Sequence, residues 1–213
     1  MLTQKQQEKV NALSEQDKET FYGSEKLRKI ILDAGLEITL LPIEMDVECG
    51  TLPDGKPKLQ FAFSRSLNCI GIPRGFNPLD RYHLLSICHE YGHYLDSIKH
   101  PSYYPLPENK NEPLPELPFL TEFLTEVNAW KYGLEVYNTL FPLSAEQREL
   151  NGQEILDCLM SYYDVARATT KAKNSSNPFE IILLVIYGPD KNYMDRETKM
   201  DKIRNLMYRR FAL

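Results

Sequence analysis

The chain has 213 residues, of which 42% are hydrophobic and 26% charged, the balance of a globular fold long enough to build a core without disulfide staples. Its formal net charge of −5 leaves no basic footprint for nucleic acid, and the longest apolar run, 181–187, is too short to span a bilayer. The first eight residues are polar, without the apolar stretch of a signal peptide, and the four cysteines (Cys49, Cys69, Cys88, Cys158) have no C-x-x-C spacing; free thiols and a cytoplasmic chain are expected, with neither membrane nor nucleic acid as partner.

Residues 1–34 are charged, with Leu27, Ile30 and Ile31 at helical spacing before Gly35, and predict one or two helices. Between 37 and 72 the pattern shortens to strands. Residues 37–41 form the first, 44–51 and 58–63 make a hairpin around Pro53-Asp54-Gly55, and 67–72 follow as a third run, together a small, mostly antiparallel sheet. A helix then starts with Asn77 as N-cap and Pro78 in its first position, carries Asp80 in its first turn, and stops before Pro101. Six of the fourteen prolines fall in 101–118, an extended loop. A second helix is predicted over 119–138. Ser144 with Gln147 resembles a capping box opening a helical stretch to about 170, interrupted near Asn151-Gly152. A linker at 171–178, an apolar segment at 179–187 and a last helix from about Asp195 complete the chain.

Chemistry concentrates in His89-Glu90-Tyr91-Gly92-His93, an H-E-x-x-H sequence inside the first long helix. Residues four apart share a helix face, so both imidazoles can reach one metal ion. Glu90, about 100° round the helix, stands beside that ion rather than on it, where it can take a proton from a bound water. Catalytic zinc takes three protein ligands and one water. A metzincin arrangement would need a glycine and a histidine where Asp96 and Lys99 stand, and His100 misses the required place by one. The second helix offers glutamates instead: Glu122, Phe123, Glu126, Ala129, Trp130 and Gly133 share a face. Ala129 and Gly133, with Gly92 opposite, leave room for a close helix crossing, and both Glu122 and Glu126 satisfy that geometry.

His89-Glu90-Tyr91-Gly92-His93, followed 33 residues on by Glu126-Val127-Asn128-Ala129, resembles the ImmA/IrrE-type metallopeptidases among the gluzincins, which carry an H-E-x-G-H helix and then an E-x-x-A helix. Cys69–Pro73 looks like the strand that precedes their active-site helix, and Leu85–Cys88 stands where they commonly have an aromatic residue, Thr, Leu and Ala. The likeness covers about residues 67–137. It implies an α+β, zincin-like catalytic core, which the pattern of elements bounds at 37–140; the N-terminal helical segment (1–36) and the helical extension (141–213), expected to pack on that core as one globular unit, carry no such likeness. It implies His89, His93 and Glu126 as ligands of one Zn2+, with Glu90 as the general base of a zinc metalloendopeptidase. Relatives often act as regulators that cleave a repressor, so a protein or peptide substrate, including a regulatory protein, is the implied partner.

An oxyanion donor is also needed, for which Tyr103, Tyr104, His83 and Tyr132 are candidates. Asp96, one turn beyond His93, can orient a ligand or be a solvated surface residue, and Cys88 points away from the ligands into the core. Rival readings are a catalytically silent zinc-binding regulatory or interaction protein, a hydrolase of a non-peptide bond, and a latent protease blocked by its own terminal segment (1–34 or 179–213).

Overall fold

A computed structural model describes residues 4–52, 56–106, 119–141, 144, 147–148, 150–152, 154–155 and 158–159. The fold is α+β. Helix α1 (Gln4–Asn11) leads to α2 (Glu15–Asp33), which Ser14 caps by accepting from the Asp17 N–H at 3.1 Å. Gly35, at φ +81°, ends α2 in the left-handed conformation that glycine adopts without strain. The turn carries the chain into β1 (Glu37–Leu40).

The strands depart from the sequence expectation in two ways. The run 58–63 is not one strand. It divides at Gln60-Phe61 into β3 (Pro57–Leu59), which pairs antiparallel with β2 (Glu48–Thr51), and β4 (Ala62–Ser64), which pairs antiparallel with β5 (Cys69–Ile72). Phe61 is buried at the division. The three-stranded sheet is also mixed, in the order β1-β5-β4, because β1 runs parallel to β5, from Glu37 opposite Cys69 to Leu40 opposite Ile72. Parallel partners need a long crossover, which the β2–β3 hairpin and β4 provide.

Helix α3 (Arg81–Lys99) begins later than predicted. Asp80 is its N-cap, accepting from the N–H groups of Tyr82 (2.9 Å) and His83 (3.3 Å). Asn77 instead closes the preceding turn by accepting from Leu79 N–H. Every residue from His83 to His93 is buried, as befits a helix enclosed on all sides. Helix α4 (Phe119–Leu140) packs across it. Leu27 and Ile31 of α2, Ile70 of β5, Leu84 and Leu85 of α3, and Tyr137 of α4 belong to one hydrophobic cluster, which Ile155 and Leu159 also join.

Ser144 and Gln147 form the expected reciprocal cap, at 3.1 and 3.2 Å. Asn151 and Gly152, where an interruption is predicted, are helical. Among the described residues no helix is long and apolar enough to cross a membrane. Most of the proline-rich loop, the linker at 171–178, the apolar segment 179–187 and the last predicted helix lie outside the described residues.

Candidate metal centre

The centre is made by the crossing of α3 and α4, and the crossing is made by glycine. A Cβ on Gly92 would stand 2.0 Å from the Ala129 carbonyl oxygen, and one on Gly133 would stand 2.5 Å from that of Cys88. Both contacts fall inside van der Waals distance with backbone, which has little freedom to give.

At this separation the His89 Nε2 lies 3.2 Å from Glu126 Oε2, and the His93 Nε2 lies 3.3 Å from Glu126 Oε1. One ligand atom from each of the three residues falls within 4.8 Å of the others. Two imidazole nitrogens and a carboxylate oxygen converging on one point suit a divalent metal ion. The electrostatics agree. Burial disfavours the charged form of His93, but the Glu126 carboxylate, seconded by Glu90 and Asp96, outweighs it and pushes the imidazole pKa up to about 9. Burial likewise raises Glu126, yet the two histidines hold it well below the usual carboxylate range. The geometry therefore favours positive charge at this point. Glu122, the other glutamate that fits the sequence argument, is exposed and lines the cleft without joining the group.

Glu90 is buried beside the ligands, and its Oε2 accepts the Phe63 N–H from β4 at 2.7 Å. His89 is held by stacking on Trp130, with ring centroids 3.9 Å apart and planes 25° from parallel. His93 instead has its Nδ1 3.0 Å from the Tyr104 hydroxyl, which donates to Asp96 Oδ2 at 3.1 Å. Asp96 is fully buried, not a surface aspartate.

A cleft of about 830 Å³ runs past these groups. Residues 58–66, with β4, and Tyr103–Leu106 line it, together with His89, Glu90, His93 and Glu126. Of the oxyanion candidates, Tyr103 faces the cleft and Tyr104 faces it with a hydroxyl already engaged. The other two lie elsewhere. His83 packs near Phe61 and Phe76 and accepts the Asn77 N–H on Nδ1 at 3.0 Å; burial lowers its pKa. Tyr132 is buried with the Lys99 ammonium 3.6 Å over its ring. Cys88 is core, its thiol pKa raised by complete burial. His100, excluded as a ligand by spacing, donates from Nδ1 to Asp96 Oδ1, 2.7 Å away.

Sequence reasoning placed Trp130 on the glutamate face but assigned it no role, and overlooked Arg65 and the Phe63 N–H. Trp130 stands four residues after Glu126, one turn along the same face, a spacing that could have signalled its place beside the ligands. A backbone N–H carries no side-chain signature at all.

No protein-family model, curated protein or solved structure matches the chain.

Proposed function

We propose that the chain is a zinc-dependent metallopeptidase that hydrolyses a peptide bond in a protein or peptide substrate, with His89, His93 and Glu126 as ligands and Glu90 as general base. The observation that carries this reading is the convergence of both Nε2 atoms on the two Glu126 oxygens, 3.2 and 3.3 Å away, with a second carboxylate, Glu90, beside them in the same open cleft. The sequence resemblance to ImmA/IrrE-type gluzincins supports it. A closed structural site would need no Glu90 and no cleft.

Zinc held by two imidazoles and a carboxylate supplies an acidified water and polarises a carbonyl. The protein's own part is proton handling and alignment. The Phe63 N–H fixes Glu90 through Oε2, leaving Oε1 to accept the proton as the water oxygen bonds to the carbonyl carbon. Glu90 then returns that proton to the amide nitrogen as the C–N bond breaks, giving an acid and an amine. The cleft lining includes Phe61, Phe63 and Trp130, which suit an extended chain with apolar side chains.

The test compares zinc content and peptide cleavage in the parent, Glu90→Gln and Glu126→Gln. Glu90→Gln is expected to retain zinc and lose at least about 100-fold in cleavage, as removal of a general base does, whereas Glu126→Gln loses zinc. Full activity in Glu90→Gln would overturn the mechanism, and full zinc affinity in Glu126→Gln would overturn the ligand assignment.

A further inference from the structure

Tyr104 follows the short 3-10 turn Pro101–Tyr103 that succeeds α3, and it is held from three directions. Arg65, between β4 and β5, donates through Nη1 to the carbonyl oxygens of Pro101, at 3.0 Å, and of Tyr104. The Tyr104 ring meets Phe63 nearly edge-on, with centroids 6.5 Å apart. Its hydroxyl lies between Asp96 and His93.

The direction of those last two bonds follows from what each group can do. Asp96 has both oxygens engaged, Oδ1 with His100 Nδ1 and Oδ2 with Tyr104, and a carboxylate only accepts. The single proton of Tyr104 therefore points to Asp96, and its oxygen faces His93 Nδ1 as an acceptor. That nitrogen must then carry a proton, so Nε2, 3.3 Å from Glu126 Oε1, is the nitrogen through which His93 would ligate a metal ion. His89 has no equivalent. Its Nδ1 is buried with no hydrogen-bond partner among the described residues, and its ring is set by Trp130.

We propose that Tyr104 is a positioning residue: anchored by Asp96 and Arg65, it holds His93 in the Nδ1–H tautomer and so raises the metal affinity of the centre. The proposal rests on the metal-centre reading above. It also removes Tyr104 from the oxyanion candidates, because its proton is committed to Asp96.

The test titrates the full chain with Zn2+ against a competing chelator in the parent, Tyr104→Phe, Asp96→Asn and His89→Ala. Tyr104→Phe keeps the ring against Phe63 and is expected to bind zinc about 10- to 100-fold more weakly, the usual effect of losing a group that orients a ligand. Its melting temperature in excess chelator should match the parent's. Asp96→Asn should lose a similar factor, and the double variant little more than either single, because the two act in series. In zinc-loaded, 15N-labelled protein, the His93 Nδ1–H resonance should be protected from solvent exchange in the parent and shifted or exchange-broadened in Tyr104→Phe. Parent-like affinity and an unmoved resonance in Tyr104→Phe would overturn the proposal. So would an affinity loss matched by an equal loss of chelated-state stability, since Tyr104 would then act only through the fold. Undiminished zinc binding in His89→Ala would instead overturn the metal-centre reading itself.

Discussion

Gly92→Ala isolates the contact on which the centre depends. The added Cβ would begin 2.0 Å from the Ala129 carbonyl oxygen and 2.9 Å from Gly133 N, while uncrowded C···O contacts begin at about 3.2 Å, so α3 and α4 must separate by roughly 1.2 Å. Metal–ligand distances tolerate about 0.2 Å, so a shift of that size takes Glu126 out of reach of an ion held by His89 and His93. Zinc affinity is expected to fall at least about 100-fold, approaching that of Glu126→Gln. Forcing the crossing apart should also cost about 2 kcal/mol, typical of overpacking, or about 4–8 °C in melting temperature for a chain of this length. Intrinsic helix propensity acts the other way, favouring Ala by about 1 kcal/mol, so a net loss must come from the crossing.

The assay is thermal unfolding with chelator and with zinc at about 100 times the parent's Kd, where binding should stabilise the parent by roughly 2.7 kcal/mol. That increment should vanish in Gly92→Ala. Gly75→Ala is the control, because its Cβ would meet only the flexible Leu59 Cδ1, at 3.2 Å, and should behave as the parent does. Parent-like stability and zinc affinity in Gly92→Ala would refute the reasoning, since the glycine would then be incidental to the placement of Glu126.

Trp130→Leu removes the surface on which His89 stacks at 3.9 Å; zinc affinity should fall about 10-fold and stability by about 2–3 kcal/mol, whereas unchanged affinity in a destabilised variant would mean that His89 is oriented by something else. For His83, burial holds the folded pKa below the ordinary imidazole value of 6.5, so the unfolded state takes up a proton first as pH falls, and the associated stability, complete above about 6.5, is lost on descent toward the folded pKa. His83→Gln should remove that acid-side slope, and chemical denaturation of both proteins from pH 8 to 5 checks it; a parent-to-variant stability difference that is constant with pH would contradict the assignment.

How much of this was legible in the sequence depends on how local each feature is. His89 and His93 share a face through helical periodicity alone, and Glu90 follows from the same rotation. Glu126 lies on another helix, but Gly92, Ala129 and Gly133 announce the crossing that brings it near, because small residues on facing helices signal close backbones. The start of α3 is ambiguous in the sequence because Asn77 and Asp80 both make good N-caps, and it is Asp80 that accepts the first-turn N–H groups, those of Tyr82 and His83. The parallel β1–β5 pair is set by long-range packing, which alternation within a strand does not encode. Tyr104 is suggested by sequence only as an oxyanion candidate. The positioning role proposed for it depends on how the chain turns back after Lys99, and the Arg65 bonds that hold that turn join residues 36 and 39 positions apart.

Those bonds reveal an economy in β4 and the turn after it. Phe63 orients Glu90 with its backbone N–H and packs its ring near Tyr104, while Arg65 fixes the backbone that presents the Tyr104 hydroxyl to His93. One short edge strand thus sets both the proposed base and the support of one proposed ligand, although it contributes no ligand itself. The strand also lines the cleft, where an extended chain would lie. The contacts of Glu90 and Tyr104 thus lie on the cleft wall, whereas the approach of the three proposed ligands is set by the glycines of α3 and α4. That separation is why the Gly92 and Tyr104 substitutions test different parts of the same centre: the first should dislodge a ligand, and the second should leave every ligand in place but slacken the hold on one.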